Sequence, residues 1–433
     1  MQVSRSETHL KDKLKRKKRF RRLVIINFTL LGVIIVLLGA WLAAANSDKL
    51  QQMLNLGDFG KKEQVEAQQP NSDAGKGHSQ SGNGTEMTED DGTVGIGDNA
   101  LPDDEDTAGV PPLADNDDAD KVSLSFVGDL LIGEYVNAVM QQEGYDFLYK
   151  NALLYLSEPD LTAGNLEYPV TNRGIPAEGK EYVYKGSPDA LPALRDAGFD
   201  IVNLANNHTL DQGIEGLQDT MKYLDEAGIS HMGAGNNDTE AFAPVIKEVR
   251  GIKVAYIGLS RVIPTLAWKA DKNVAGVAET YDTRRAVAAI AKAKEQADIV
   301  VVMVHWGNMG VDQPLQYQKD YGKEYIDAGA DLVIGSHPHV LQGFETYKGK
   351  WIAYSLGNFI FSAFPKGTAG DTGVLDAVCT KSGDCELTFH PMFTVNAQPT
   401  PLEAEEAKAL LDRLTAISFG VKLGNDGKLI PVK

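Results

Sequence analysis

Short apolar runs alternate with amphipathic windows between residues 121 and 433. We predict strands at 123–127, 200–204, 298–304 and 331–334. After their first residue the runs at 298–304 and 331–334 are continuous rather than interrupted by polar residues, which is typical of strands buried on both faces. We predict helices in the amphipathic windows, at 189–197, 214–227, 282–297, 315–328 and 402–418. This order of elements predicts an α/β domain in which helices cover buried sheets.

Shorter strands are predicted to pair as hairpins. One hairpin joins 244–249 to 253–259, and another joins 340–346 to 351–355 through a Lys-Gly-Lys turn. Two further strands, 373–378 and 386–389, flank Cys379 and Cys385. A hairpin disulfide between these cysteines fits an oxidising compartment, and two free thiols are equally compatible with the sequence.

Charge and hydropathy divide the first part of the chain into three segments. Residues 1–22 contain ten Lys or Arg against two acidic residues, giving +8. Residues 23–45 contain no charged residue and would form a helix about 34 Å long, enough to cross a bilayer core. Because the basic run precedes this stretch, we expect a single-pass signal anchor in the cell membrane, with a cytoplasmic N-terminus and an extracellular remainder.

A cleaved signal peptide is the alternative interpretation, because Ala43, Ala44 and Ala45 are small residues suited to processing. The apolar stretch is longer than the roughly 7–15 residues of a signal-peptide core, which favours an uncleaved anchor. Residues 46–120 carry −14 and are poor in aromatic residues, so we expect a disordered acidic linker. The globular domain is then 121–433.

Composition excludes several classes of function. The whole chain carries −18, and the globular domain carries −12 of that charge. An acidic surface argues against nucleic-acid binding, which requires basic contacts to phosphates. The chain has only two cysteines, which excludes a multi-cysteine zinc or iron–sulfur site. Candidate chemistry therefore rests on histidine, carboxylate and amide side chains.

Polar side chains of these types lie at or just past the carboxyl ends of the apolar strands. They are Asp129, Asn165, Glu167, Asn207, His208, His305, His337 and His339. Loops converge over this edge of an α/β sheet, so we expect the side chains to lie close together. Their nitrogen and oxygen donors predict a site for one or two divalent ions, Mn, Fe or Zn. His231 is predicted in a helix-to-strand loop, and His390 is predicted to be structural or exposed.

Six sequence motifs contain or adjoin these residues. They are FVGDLLIG at 126–133, GNLE at 164–167, NLANNH at 203–208, VHWG at 304–307, GSHPH at 335–339 and SLGNF at 355–359. In these motifs and their order the chain resembles the CapA (PgsA) family of poly-γ-glutamate capsule synthesis, within the calcineurin-like metallophosphoesterase superfamily. The resemblance covers about 125–362. It implies an αββα sandwich of mixed sheets flanked by helices.

The resemblance also implies roles for the site residues. The superfamily pattern assigns one metal to Asp129, Glu167 and His339, and a second metal to Glu167, Asn207, His305 and His337. His208 would be the general acid that protonates a leaving group. Two positions depart from the pattern: Leu131 stands where a histidine is usual, and Thr209 stands where an acidic residue usually follows the catalytic histidine. Asp211 is the predicted substitute that orients His208.

The implied function is that of a membrane-anchored extracytoplasmic component of poly-γ-glutamate capsule synthesis, export or surface retention. Its implied partners are membrane-bound synthase subunits and poly-γ-glutamate or another glutamyl substrate. Hydrolase or transferase activity is compatible with the site. The alternatives are a surface phosphoesterase or amide hydrolase unrelated to capsule, and a non-catalytic partner of a membrane synthase.

An acidic domain repels a polyanion, so binding one requires the metals or a local basic patch. Candidates for such a patch lie on predicted loops near the motifs: Arg173, Lys180, Lys185, Arg261 and Lys366.

Overall fold

The structure is a computed structural model that describes residues 120–361 and 366–432. The predicted basic tail, the predicted anchor and nearly all of the predicted linker lie outside the described residues. Within the described ranges, no helix is long and apolar enough to cross a bilayer. The described residues coincide with the predicted globular domain and belong to one compact unit.

Strands make up most of the regular structure. In chain order they begin with β1 (Lys121–Leu130), β2 (Leu161–Leu166), β3 (Phe199–Asn203), β4 (Ser230–Met232), β5 (Ala234–Gly235), β6 (Val245–Val249), β7 (Ile252–Ser260), β8 (Gly276–Val277) and β9 (Ile299–His305). They continue with β10 (Leu332–Ser336), β11 (Phe344–Tyr347), β12 (Lys350–Ala353), β13 (Asn358–Ile360), β14 (Asp371–Thr380), β15 (Cys385–Val395), β16 (Gln398–Pro401), β17 (Val421–Leu423) and β18 (Leu429–Pro431).

Helices occupy the connections between strands. They are α1 (Glu134–Glu143), α2 (Leu153–Ser157), α3 (Leu191–Ala197), α4 (Gly213–Ala227), α5 (Asp238–Ala241), α6 (Arg284–Lys294), α7 (Gln316–Asp327) and α8 (Ala404–Ile417). α3 and α4 each end at a glycine in the left-handed conformation, Gly198 and Gly228. A glycine there ends a helix without the steric cost that a Cβ would add.

Two mixed sheets form the centre of the domain. The first has the order β16-β15-β14-β1-β2-β3-β4, with β13 also paired to β1. Its strands β1 to β4 are parallel, whereas β14 to β16 are antiparallel. The second has the order β11-β12-β10-β9-β7-β6, and β7, β9, β10 and β12 are parallel within it. The predicted mixed α/β class is confirmed.

Alternate side chains of β9 enter two different apolar clusters. Val301 and Met303 pack with residues of the first sheet such as Phe126. Val300 and Val302 face the opposite way, into a cluster that includes residues of α6 and α7. Residues of β1 to β3 pack in turn against α1, α3 and α4. The two sheets therefore lie face to face with helices on their outer faces, and both faces of β9 are buried, as its continuous apolar sequence predicts.

The predicted strands, hairpins and long helices all appear, with ends that differ by a few residues from the predicted ones. The prediction for His231 is wrong, because this residue lies within β4 and pairs in register with Val202 of β3. β4 is short and alternates little, so its sequence carries no clear strand signal. Its partner β3 supplies the hydrogen bonds that make it a strand.

Parallel pairing aligns the polar residues at the carboxyl edge. In the first sheet Asp129 is in register with Asn165, which is in register with Asn203. In the second sheet His305 is in register with Ser260 on one side and Ser336 on the other. The side chains of Asn165 and His305 are in contact, which joins the two rows into a single site.

Close packing at Gly128 fixes the end of β1. A Cβ atom at this position would lie 2.0 Å from the carbonyl oxygen of Gly357, so no larger residue fits without moving the backbone. The backbone N–H of Asp129 donates to that same carbonyl over 2.9 Å. This approach pairs Asp129 with Asn358, the first residue of β13.

Candidate metal centre

The predicted ligands fall into two overlapping groups of buried side chains. One group is Asp129, Glu167 and His339, and the other is Glu167, His305 and His337. In each group the ligand atoms lie within 4.8 Å of one another. Glu167 belongs to both groups, as the superfamily pattern implies. Histidine and carboxylate donors at these separations are compatible with metal binding.

Glu167 provides the test of whether a metal fits this site. Its side chain is buried, and among the described residues neither carboxylate oxygen has a hydrogen-bond partner. The nearest histidine nitrogen, Nε2 of His305, lies 3.3 Å from Oε1. Burial and the charge of Asp129 raise the pKa of Glu167 well above its usual value. A buried carboxylate without partners is costly, and a bound cation is a partner that would compensate for that cost.

Asp129 is held at the end of β1 by hydrogen bonds from β2 and from the loop that follows β10. Its Oδ1 accepts a hydrogen bond from Asn165 over 2.8 Å, and its Oδ2 accepts one from the backbone of His337 over 3.1 Å. Burial alone would raise the pKa of Asp129, but the hydrogen bond and charge of His339 outweigh it and lower the pKa to about 2. Asp129 is therefore ionised and oriented before any ligand binds.

His305 is buried at the end of β9, and contacts to both of its ring nitrogens fix the ring. Nδ1 lies 2.9 Å from Oγ of Ser336 and 3.2 Å from Nδ2 of Asn165. Nε2 lies 2.7 Å from Oδ1 of Asn207, which brings this predicted ligand to the same place. Burial lowers the pKa of His305 to about 3, so the imidazole is neutral, the form in which histidine binds metals.

His337 and His339 both have positive backbone φ angles, 94° and 57°. Such angles are uncommon for residues other than glycine and cost free energy. Contacts with the surrounding structure must therefore hold the backbone of this loop, and with it the two histidines, in this conformation. Nδ1 of His337 is buried and has no hydrogen-bond partner in the part of the chain that the structure describes. Burial, reinforced by His305, lowers its pKa well below the usual value. His337 is therefore a neutral imidazole with a free nitrogen.

His339 has the opposite charge state. Burial opposes protonation, but the charge of Glu167 and the hydrogen bond to Asp129 raise its pKa to about 9. Its Nδ1 lies 3.3 Å from Oδ2 of Asp129 and 2.9 Å from Oδ1 of Asn358. Asn358 begins β13 and faces the site, because its side chain contacts His339.

His208 and Asp211 form a pair beside the ligand groups. Nδ1 of His208 lies 2.7 Å from Oδ2 of Asp211, and the other Asp211 oxygen accepts a hydrogen bond from Lys180. The ammonium of Lys180 also lies 3.1 Å from Nδ1 of His208 and 4.9 Å from the centre of the Trp268 ring. Burial lowers the pKa of His208, and Asp211 opposes that shift. Sequence reasoning missed this position of Lys180, since no motif includes it.

The two residues that depart from the superfamily pattern, Leu131 and Thr209, have structural roles in this fold. Leu131 is 1% exposed and lies in the core, so it brings no donor to the site. The hydroxyl of Thr209 donates to the carbonyl of Leu204 and to Oδ1 of Asn206, 3.0 Å away. Thr209 therefore braces the loop, and Asp211 is the carboxylate next to His208.

The five candidate basic residues differ in their surroundings. Arg173 pairs with Asp219 through Nε and Oδ2 at 2.9 Å, and Lys180 pairs with Asp211. Lys185 and Lys366 are exposed. Arg261 has aromatic neighbours instead of carboxylates.

Comparison with known proteins gives consistent matches. The family model described as bacterial capsule synthesis protein matches residues 123–363. The chain is 33% identical over 314 residues to the PGA biosynthesis protein CapA of Bacillus subtilis, covering 72% of this chain and 82% of that protein. It is 31% identical over 303 residues to the capsule biosynthesis protein CapA of Bacillus anthracis, covering 68% and 73%. A probable polyglutamine synthesis accessory protein of Mycobacterium tuberculosis is 32% identical over 219 residues, covering 48% and 57%.

Solved structures resemble the chain only weakly. The protein TT1561 of Thermus thermophilus matches with a TM-score of 0.34 at 11% identity, covering 62% of this chain and 98% of that one. A 5′-nucleotidase from Candida albicans matches with the same TM-score and identity, covering 62% and 52%. These scores are too low to support an argument about function.

Proposed function

Because the chain belongs to the bacterial capsule synthesis protein family, we propose that it acts in the synthesis, export or surface retention of a poly-γ-glutamate capsule. One observation carries the proposal: every residue of the two ligand groups lies within 123–363, the stretch that matches the family. The similarity to the CapA proteins of two Bacillus species supports the same substrate. The implied partners are the subunits of a membrane-bound synthase.

The proposal includes a metal-dependent hydrolase or transferase site of metallophosphoesterase type. Asp129, Glu167 and His339 would hold one divalent ion, and Glu167, Asn207, His305 and His337 a second. The nitrogen and oxygen donors suit Mn, Fe or Zn. When bound, such ions would polarise the carbonyl or phosphoryl group of the bond to be broken and lower the pKa of water.

The chain's own residues have three tasks in this proposal. Asp129 and His305 keep their orientation through Asn165, which contacts both. Asp211 engages Nδ1 of His208, which leaves Nε2 to exchange a proton with a leaving group. Burial of the carboxylates and imidazoles keeps bulk water from screening the charges that develop there.

The experiment uses purified full-length protein in detergent. Metal content is measured by mass spectrometry, and turnover is measured on poly-γ-glutamate and on a generic phosphodiester. We expect His208→Ala to retain metal and to lose at least about 100-fold in turnover, the usual range for a general acid. His231→Ala is the matched control, because His231 lies in β4 and belongs to neither ligand group.

The outcomes separate the candidate functions. Turnover of poly-γ-glutamate that depends on His208 supports a glutamyl hydrolase or transferase. Turnover of the phosphodiester alone supports a surface phosphoesterase. Metal without turnover of either substrate supports a non-catalytic partner of the synthase. Wild-type turnover that survives His208→Ala contradicts the assigned proton donor.

Anchoring at the membrane is part of the same proposal. The uncharged stretch 23–45 and the +8 run before it support a single span with the globular domain outside the cell. Protease added to intact cells is expected to degrade the globular domain and to leave the basic tail protected. A globular domain that is degraded only after lysis would contradict this orientation.

A further inference from the structure

Arg261 differs from the other arginines of the described ranges in having no carboxylate partner. The others each pair with an aspartate: Arg173 with Asp219, Arg195 with Asp196, Arg250 with Asp160, Arg284 with Asp282, Arg285 with Asp238, and Arg413 with Asp371. In a domain with a net charge of −12, a guanidinium surrounded by available carboxylates normally finds one. The environment of Arg261 therefore requires an explanation.

Arg261 lies at the same strand edge as the metal centre. It directly follows β7, and its backbone N–H donates to the carbonyl of His305 over 2.8 Å. Its guanidinium carbon lies 3.9 Å from the ring centre of Tyr281 and 5.2 Å from that of Tyr317. Tyr317 belongs to α7, on the outer face of the second sheet. The backbone of Arg261 therefore lies beside that of the predicted ligand His305, and its guanidinium belongs to neither ligand group.

The two tyrosines are themselves held in place. The hydroxyl of Tyr317 accepts a hydrogen bond from the backbone of Gly307 over 2.7 Å. The backbone N–H of Tyr281 donates to Glu279 over 2.9 Å, and its carbonyl accepts from Tyr321. A guanidinium that lies over an aromatic ring keeps its donors in its own plane, pointing away from the ring. The tyrosines thus position the group without using its N–H donors.

The donors of Arg261 are free within the described part of the chain. Its Nε is buried and has no hydrogen-bond partner. Leaving a buried charged donor unsatisfied costs more than an ordinary missing hydrogen bond. A planar anion that bonds to the guanidinium would give its charge a partner, and a carboxylate has the matching bidentate geometry.

We propose that Arg261, clamped by Tyr281 and Tyr317, is a carboxylate-binding subsite that takes one free carboxylate of a γ-linked glutamyl chain next to the metal centre. The proposal rests on the substrate class of the proposed function. A γ-linked glutamyl chain carries a free carboxylate on every residue. Residues on either side of a bond at the metal centre therefore present carboxylates at its rim, where Arg261 lies.

The test measures binding of a fluorescent γ-linked glutamate oligomer to the full-length protein at fixed ionic strength. A second oligomer of the same length has its free carboxylates converted to amides, and inorganic polyphosphate serves as a competitor. We expect Arg261→Gln to weaken binding of the carboxylate oligomer about tenfold, as for loss of a charge-assisted hydrogen-bonded pair. The amidated oligomer should bind weakly and equally to both proteins.

Arg284→Gln is the matched control. It removes the same charge from an arginine that is paired with Asp282 and highly exposed, so we expect less than about a twofold change. Arg261→Lys keeps the charge but loses the planar fork, and we expect a loss of several-fold. Arg261→Lys also tests the proposal if Arg261→Gln fails to fold.

Each outcome decides a different claim. Equal losses in Arg261→Gln and Arg284→Gln, or no loss in either, overturn the subsite while leaving the glutamyl substrate in place. Polyphosphate that binds more tightly than the oligomer, and in an Arg261-dependent way, overturns the carboxylate assignment. Wild-type protein that binds neither oligomer overturns the substrate class of the proposed function, and the subsite with it.

Discussion

Asp211 contacts His208 and Lys180 with its two different carboxylate oxygens. Oδ2 lies 2.7 Å from Nδ1 of His208, while Oδ1 accepts a hydrogen bond from the ammonium of Lys180. The carboxylate therefore sets the orientation of the imidazole and is itself held by a partly buried cation. Asp211 lies two residues further along the chain than the acidic residue of the superfamily motif, and its side chain still reaches His208.

Replacing the carboxylate by an amide tests this relationship. Asp211→Asn keeps the shape of the side chain but weakens its hold on Nδ1, so we expect kcat to fall about 10–100-fold with metal content unchanged. The measurements are steady-state kinetics and metal analysis of the same preparation. Asp219→Asn is the control. Asp219 is also buried and accepts a hydrogen bond from a basic side chain, that of Arg173, but it does not contact His208. Equal losses in both variants would show a general effect on folding instead.

Asp160 links the two sheets at the end opposite the metal centre. It accepts hydrogen bonds from the backbone and hydroxyl of Ser123 in β1, both at 2.9 Å, and from Arg250 between β6 and β7, at 2.8 Å. Burial would raise the pKa of Asp160, but the bonds from Arg250 and Ser123 outweigh it and lower the pKa below its usual value. The ionised form is therefore the one that stabilises the fold.

Because the pKa of Asp160 is lowered in the folded state, the free energy of unfolding is predicted to depend on pH. The contribution of Asp160 is fully present above about pH 4 and is lost as the pH falls through the folded-state pKa. We expect Asp160→Asn to lower the free energy of unfolding by about 2 kcal/mol at pH 7, and by less as the pH is reduced below about 4. Urea titrations at several pH values measure this difference.

Asp282→Asn is the control for Asp160→Asn, because Asp282 is half exposed and pairs with the exposed Arg284. Exposed pairs of this kind contribute little to stability, so we expect a change below about 1 kcal/mol. A pH-independent effect of Asp160→Asn would contradict the ionic link between the sheets.

Cys379 and Cys385 are joined by a disulfide in the structure, across paired positions of β14 and β15. The bridge lies far from the metal centre, because Cys379 pairs with Val122 near the start of β1, about 23 Å from Asp129 along the strand. We expect the double substitution to serine to lower the free energy of unfolding by about 2 kcal/mol. Metal content should not change. Thermal unfolding that is insensitive to reductant in the wild type would contradict the bridge.

Sequence patterns predicted the elements whose physical signal is local. The run 299–304 is continuous and apolar because both faces of β9 are buried, so the strand and the polar residue at its end were both predictable. The long helices were predictable because each has one apolar face. Parallel pairing brings Asp129, Asn165 and Asn203 side by side, with a register shift in each of the two pairings that the sequence does not reveal.

Other features depend on contacts between distant segments. β4 is a strand because β3 pairs with it, and the strands β17 and β18 of the C-terminal hairpin are too short for a clear pattern. Lys180 reaches Asp211 from a loop without regular structure, so no periodicity marks it. That Arg261 has no carboxylate partner among the described residues cannot be read from the sequence, because it depends on which aspartates the other arginines pair with in the fold.

Glu167 is shared by the two proposed metal positions, and metal stoichiometry is the sharpest test of this arrangement. Full-length wild-type protein, reconstituted and freed of excess metal, is compared with Glu167→Gln, His305→Ala and His339→Ala. His390→Ala is the control, because His390 bonds to Asp376 and belongs to neither ligand group. We predict two ions per chain in the wild type and in His390→Ala, one in each of the other histidine variants, and essentially none in Glu167→Gln. A wild-type protein without metal, or a Glu167→Gln protein with the wild-type content, would contradict the account.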